Sequence, residues 1–352
     1  MRVLVTGGTG FVGSHTVAAL IAAGHEVRLL VRSPERIAPA LRPLGVTGPV
    51  DHVVGDVTDP DAVRRALAGC TAVLHAAAVY DLDARAHRAI ERTNAAGAAT
   101  VLRAAVAHGC DPVVHVSSFV ALMQRGATCT PDSALSVTPG AYARSKVASE
   151  AVARDLQAEG APVVIVHPGG VLGPYDPHRG DQARRLRNIL RGYYPVWPAG
   201  GSHVVDVREV AAVHAAVLTP GRGPRRYVVP GHHVDGHAMF AALRAVTGRR
   251  LPNRVLPAGM ILPVARVASG VQRFVPFHLP IEYEGALICS YDTRFDDSRA
   301  RRELAVEPRP LTETYADTVR WLYATGQLTE RQAGAVARVD ARPRSPRSTV
   351  DR

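Results

Sequence analysis

The chain has one lysine. Of its 42 lysine and arginine residues only Lys146 is lysine, so a sequence that writes its cations as guanidinium keeps a single ammonium. Cysteine is almost as scarce. Cys70, Cys110, Cys129 and Cys289 stand far apart, which fits neither a disulfide framework nor a Cys-x-x-Cys metal site, and no bound metal is expected. Aromatic residues make up 5% of the 352, and no stacking platform for nucleic-acid bases is visible. The most apolar stretch, Leu256 to Ile281, is interrupted by Pro263, Arg266 and Arg273 and is too broken for a bilayer span, which needs about 20 mostly apolar residues. Met1 leads directly into Arg2-Val3-Leu4-Val5, without the charged, apolar and cleavage regions of a secretory signal, so a cytoplasmic location is expected.

What is present is a core-forming composition with a basic surface. Hydrophobic residues make up 47%, enough for one large domain or two modest ones, and the net charge is +11. The arginines cluster at Arg179 to Arg191, at Arg222 to Arg226 and after Glu330, but no nucleic-acid motif accompanies them. They read as solvated surface, and no nucleic-acid partner is expected.

Lys146 lies four residues after Tyr142. On a helix, positions i and i+4 share a face, so the ammonium and the phenol point into the same space. A cation beside a phenol favours the phenolate and lowers its pKa from an unperturbed value of about 10. Such a tyrosine exchanges protons with a substrate near neutral pH. Arginine, bulkier and permanently charged, is no equivalent. The bland alternative is a solvated helix face.

The N-terminus sets that pair in context. Val3-Leu4-Val5-Thr6 has the character of a buried strand, and it runs through Gly7-Gly8-Thr9-Gly10-Phe11-Val12-Gly13 into an alanine-rich helix from about Ser14 to Ala23. Strand, glycine turn and helix in this order form a dinucleotide cradle in which Gly7, Gly10 and Gly13 permit the tight turn, close approach to a pyrophosphate and close helix packing. The phosphates then rest on the helix N-terminus. A second strand, Glu26 to Val31, ends at Arg32-Ser33-Pro34-Glu35-Arg36, where an NAD protein would place a carboxylate. Arginine there suits a 2′-phosphate. The expected cofactor is therefore NADP(H), held by Arg32 with help from Ser33 and Arg36.

Further strands are expected at His52 to Val57, at Ala72 to Ala78, at Val113 to Ser118 and at Val163 to His167, with helices from about Ala84 to His108 and from near Tyr142. This alternation predicts an α/β fold with a doubly wound parallel sheet of Rossmann type. In order, Thr6-Gly7-x-x-Gly10-x-x-Gly13, Asp56, Ala76 to Ala78, Asn94, Ser118, Tyr142-x-x-x-Lys146 and Pro168-Gly169 resemble an extended short-chain dehydrogenase/reductase of the NAD-dependent epimerase/dehydratase superfamily. Leu30-Val31-Arg32-Ser33-Pro34 and Val116-Ser117-Ser118 are most similar to its dihydroflavonol 4-reductase and 3β-hydroxysteroid dehydrogenase branch, and the resemblance spans about residues 1 to 328.

The resemblance implies that Ser118 positions a substrate carbonyl, that Tyr142 donates or accepts the proton, and that Lys146 also binds nicotinamide ribose. It implies that Asp56 and Val57 hold adenine, that Pro168, Gly169 and Val171 line the nicotinamide, and that Thr9, Phe11, Val12, Ala76, Ala77, Ala78 and Asn94 complete the cofactor set. Ser117 competes with Ser118 for the serine role. The chain departs from the family pattern at His167, where arginine is frequent, so a changed pocket floor is expected. Phe119-Val120-Ala121 replaces the acidic pair of sugar dehydratases, and the acid and Val-Tyr-Gly run of sugar epimerases are missing.

Residues 1–171 with about 204–229 are expected to form the nucleotide domain, about 172–203 with 230–328 a smaller substrate lobe, and 329–352 a disordered tail. An amphipathic helix, His237 to Gly248, and two more at Asp296 to Leu304 and Leu311 to Gly326 belong to that second half. For Leu256 to Ile281, packing inside the lobe is the first reading; a greasy lid over a lipophilic substrate, touching a membrane surface, is the second. Alanine-rich helices near Ala95 and Ala148 offer a close-packed homodimer contact. The expected activity is NADPH-dependent reduction of a carbonyl on a small, lipophilic substrate, or the reverse oxidation. An NADP-linked epimerase or dehydratase that recycles its cofactor and a non-catalytic cofactor sensor are the alternatives.

Overall fold

Seven short runs of β-branched residues and leucine pair in parallel in the computed structural model, which describes residues 1–78, 87–194, 196–251, 254–271 and 283–340. They are β1 (Arg2–Thr6), β2 (Glu26–Val31), β3 (Asp51–Val54), β4 (Ala72–His75), β5 (Val113–Val116), β7 (Val163–His167) and β11 (Arg225–Val228), in the spatial order β11-β7-β5-β4-β1-β2-β3. Every residue of β4, β5 and β7 is buried, as expected of strands covered on both faces. Side chains alternate between two cores. Val3 and Val5 enter one with Val164 and Val166, while Leu4 enters the other with Val163 and Ile165.

Helices α1 (Phe11–Ala22), α2 (Ile37–Leu41), α3 (Pro60–Leu67), α4 (His87–Ala107) and α5 (Ala141–Ala158) link the strands, with α4 packed on α5 and α1 on α7 (Val207–Ala216). The chain runs outward from β1 through β2 to β3 and then returns to place β4 on the other side of β1. That reversal leaves a crevice at the carboxyl ends of β1 and β4, the place where open α/β sheets bind ligands.

The second half builds its own core. β8 (Gly170–Leu172), β10 (Gly201–Asp206) and β12 (His232–Asp235) form one small sheet. β9 (Val196–Pro198) pairs with β13 (Arg254–Leu256), and β6 (Thr128–Cys129) with β14 (Arg294–Phe295). Leu186 and Leu190 of α6 (Asp181–Leu190), Phe240 and Leu243 of α8 (Gly236–Thr247) and Leu322 of α12 (Leu311–Ala324) meet around Trp197. Of the stretch expected to return to the nucleotide domain, α7 and β11 lie against the large sheet, while β10 stays in the small one. Asp206 joins the halves. It accepts from Arg208 N at 2.9 Å at the start of α7 and from Thr314 Oγ1 of α12 at 2.8 Å.

Two expectations need correction. The chain was expected to stay unfolded beyond Thr329, but Thr329 and Gln332 form a capping box that opens α13 (Glu330–Ala333), followed by α14 (Ala335–Asp340). Ala333, Val336 and Ala337 are buried against α8 and α12, so small side chains suffice to hold this end; residues 341–352 lie outside those described. The stretch from Leu256 to Ile281 is not lobe core in its described part. α9 (Ala258–Val271) buries Ala265 alone, whereas Met260 is 62% and Val264 57% exposed. Residues 272–282 of the same stretch fall outside the described set.

A buried carboxylate ties α5 to the sheet. Glu150 accepts from Ser117 Oγ at 2.6 Å, is bonded to His167 Nε2 at 2.9 Å and accepts from Arg154 Nη2 at 2.7 Å. Burial pushes its carboxyl up, but His167, Ser117 and Arg154 together outweigh burial and hold it down at about 2. Because the folded value lies below the unfolded one of about 4.3, this contribution is complete above that pH and is lost as pH falls toward the folded value. Thermal melts between pH 5 and pH 3 should therefore show falling stability. In Glu150→Gln that part of the slope should disappear, with a loss of about 1–3 kcal/mol at neutral pH from the weakened buried hydrogen bonds.

Candidate active site

β1 delivers the glycine loop to the crevice, and the loop cannot carry side chains at two of its positions. Gly7 sits at φ 74°, where a Cβ would lie 2.6 Å from Ala77 N, and a Cβ on Gly13 would lie 2.0 Å from the Gly7 carbonyl oxygen. The missing Cβ atoms let α1 begin directly behind the turn. A cavity of about 360 Å³ opens there. Gly7, Gly10, Phe11, Val12 and Gly13 line it with Ala76 and Ala78, and the same cavity is lined by Ser118, Tyr142, Lys146, Pro168, Gly169 and Val171. The cradle and the expected reacting groups thus share one space. These residues fit a pyridine nucleotide: backbone and small side chains face the space at the N-terminus of α1, where a pyrophosphate is favoured.

Ser117 lines the cavity too, and the remaining sequence-expected residues stand outside the lining. Arg32, Ser33 and Arg36 follow β2, and Arg32 reaches out with its side chain 74% exposed, its Nη1 4.0 Å from Asp56 Oδ2. Asp56 accepts from the backbone and hydroxyl of Thr58, which lower its carboxyl more than the Arg32 charge does. Val57 is buried in the sheet core, and Thr9 belongs to the turn before α1. The Ala77 N–H donates to Thr6 Oγ1 at 3.2 Å. Asn94 is buried and donates to Ser145 Oγ at 3.0 Å, joining α4 to α5.

Packing separates the two serines. Ser117 gives its hydroxyl to Glu150, whereas Ser118 bonds the Tyr142 hydroxyl and opens a 3-10 turn over Phe119–Ala121. His167 is wholly buried between Glu150 and the Tyr227 carbonyl and does not line the cavity, so the expected change of pocket floor is not found. What His167 does is anchor Glu150.

Tyr142 and Lys146 lie on the same face of α5, but the expected pKa shift is reversed. Burial pushes the phenol up to about 12; the Ser118 hydrogen bond pulls it down, and the Glu284 carboxylate pushes it further up. Burial also brings Lys146 down to about 8, opposed by Glu150, and its Nζ donates to the Val116 carbonyl at 3.3 Å. Losing water outweighs the Ser118 hydrogen bond at the phenol and the Glu150 charge at the ammonium. Nearby, His75 and His115 stack at 5.9 Å, and burial keeps both imidazoles neutral.

Sequence reasoning missed Glu284. It comes from α10 (Tyr283–Ser290), is buried, and its Oε1 accepts from Ala141 N at 2.7 Å at the first residue of α5. Gly140, at φ 134°, packs so closely that a Cβ would touch the Glu284 carboxyl at 3.0 Å. The glycine before Tyr142 was the available signal, but Glu284 lies 143 residues beyond Ala141, the residue it bonds. Asp176, Gln182, Arg185 and Trp197 also line the cavity, and nothing in their sequence neighbourhood marks them.

Residues 3–229 match the NAD dependent epimerase/dehydratase family. A Synechocystis sp. protein named for dihydroflavonol 4-reductase is 30% identical over 333 residues, covering 92% of this chain and 95% of that one. Sterol demethylase protein B of Methylococcus capsulatus is 29% identical, covering 93% of this chain and all of that one. A crystal structure of the dTDP-glucose 4,6-dehydratase DesIV from Streptomyces venezuelae with NAD bound superposes with a TM-score of 0.71 at 25% identity, covering 92% of this chain and 97% of that one. With its seven-stranded parallel sheet, its glycine cradle and the Tyr142–Lys146 face opening on one cavity, the chain belongs to the NAD-dependent epimerase/dehydratase family of extended short-chain dehydrogenases/reductases, whose members use a pyridine nucleotide.

Proposed function

We propose that the protein is an NADPH-dependent reductase of a carbonyl on a lipophilic substrate. The observation that carries this reading is the single cavity that Ser118, Tyr142 and Lys146 share with the glycine cradle. A reduced nicotinamide bound in that cradle supplies the hydride. The chain's own residues handle the oxygen. The Ser118 hydroxyl is placed to donate to the carbonyl oxygen, and the Tyr142 phenol to release its proton to that oxygen as negative charge develops there. A phenol held near 12 keeps its proton at neutral pH, which suits the donor's role in reduction. The Lys146 ammonium, one turn along α5, stabilises the phenolate that is left. Phe119, Leu186, Ile189, Trp197 and Met239 give the cavity an apolar lining, and relatives named for sterol and dihydroflavonol chemistry agree with a lipophilic substrate. Arg32 supports NADPH over NADH, because a guanidinium pairs with a 2′-phosphate that NADH lacks.

Tyr142→Phe should lower kcat by about 10²–10⁴, the usual worth of a positioned acid, while NADPH affinity measured by fluorescence changes little. Full activity in that variant would end the mechanism. Arg32→Asp should shift the ratio of kcat/KM for NADPH over NADH by about ten- to a hundredfold toward NADH, read from absorbance at the reduced-nicotinamide band. An unchanged ratio would remove the cofactor assignment. In the oxidative direction, where Tyr142 must lose its proton first, Glu284→Gln keeps an acceptor for Ala141 N but removes a charge that raises the phenol. Its pH–rate profile should move to lower pH; a profile unmoved or moved upward would show that Glu284 does not act on Tyr142.

A further inference from the structure

A second chamber of about 260 Å³ adjoins the reacting cavity. β9, β13, α9 and α10 wall it, chiefly through Val196, Leu256, Met260, Ile261, Val264 and Ala286. Arg185, Trp197, Gly285 and Cys289 line both spaces, so the two meet across these four residues. Arg185 is the one charged group among these four. The Cys289 thiol is pushed up by burial and stays neutral, and the Arg185 guanidinium donates to Gln182 Oε1 at 3.3 Å.

The outer wall is apolar surface facing water. Met260 and Val264 line the chamber while remaining more than half exposed, and Val267 (68% exposed) and Val271 continue their row along α9 at helical spacing. An aligned row of exposed apolar side chains marks a binding surface more often than scattered ones do. Burying it against a second hydrocarbon surface returns about 25 cal/mol for each Å² removed from water.

We propose that this chamber seats an acyclic hydrocarbon tail carried by the same substrate whose carbonyl meets Tyr142. The proposal rests on the reductase reading and narrows its substrate class. An occupant of both spaces must pass between the side chains of Arg185, Trp197 and Cys289, which a narrow chain with freely rotating bonds can do more readily than a rigid fused-ring body. Its reactive carbonyl stays in the first cavity and its tail lies against α9.

Methyl n-alkyl ketones from 2-butanone to 2-dodecanone, with NADPH, test it. One methylene leaving water is worth about 0.8 kcal/mol, so kcat/KM should climb about fourfold per added carbon and level off once the chamber is full. Val264→Asp puts a charge on the exposed wall, and Ala286→Trp fills the space. In both, the ratio of kcat/KM for 2-decanone over 2-butanone should fall toward one. Turnover of the ketones without any dependence on length, or a ratio that both variants leave intact, overturns the tail site and leaves the reductase reading standing. If no ketone is reduced with NADPH or NADH, the reductase reading is what fails, and binding decides the chamber by itself. The fluorescent polyene cis-parinaric acid should then bind the wild type and lose about tenfold or more in affinity in Val264→Asp, since a charge on an apolar wall repels hydrocarbon. Equal affinity in the two proteins overturns the proposal.

Discussion

Tyr142 and Lys146 are held one helical turn apart in a space from which water is largely removed, and the chemistry of the cleft follows from what that removal does to each of them. The phenol becomes harder to ionise and the ammonium easier to discharge. Both shifts favour the neutral forms, so the pair begins with its proton on oxygen. The surroundings then set the balance: Ser118 and Glu284 push the phenol in opposite directions, and Glu150 supports the ammonium. Glu150 is itself fixed by Ser117, His167 and Arg154, so β5, β7 and the α5 helix all bear on the state of one amine.

The scaffold makes that placement possible through backbone geometry. The reversal of strand order between β1 and β4 opens the crevice, and the missing Cβ atoms of Gly7 and Gly13 bring α1 up against its floor. α5 then crosses from the other side of the sheet with its reactive face turned to the same crevice. Its first turn is fastened from the small lobe by Glu284, so the lobe that lines the substrate space also touches the helix that carries the phenol.

Much of this was legible in the sequence because it depends on local pattern. Buried parallel strands read as continuous apolar runs, the glycine loop has fixed spacing, and a Tyr-x-x-x-Lys pair shares a helix face wherever it occurs. The direction of the Tyr142 shift was not legible, since it depends on how far the surrounding elements exclude water. Nor was the hydrogen bond that ties Ser117, and not Ser118, to Glu150 on another element, or the contact of Glu284 with α5. Residues 329–340 read as disordered because the chain beyond Thr329 has few large apolar groups; a capping box and three buried side chains are enough when α8 and α12 already provide a surface. β10 was expected with the nucleotide domain on the family resemblance of the stretch from Val204 to Val210, and only pairing partners distant in sequence reveal the smaller sheet.

The lone lysine of this sequence is 6% exposed and lies inside the cleft. The exterior is therefore furnished with guanidinium groups and carries no side-chain primary amine. Acylating or conjugating reagents that normally decorate a protein all over its surface would find, apart from the amino terminus, one target here, and it sits beside the phenol. A reagent small enough to enter marks the cleft as well as the amino terminus, and one too large marks the amino terminus alone.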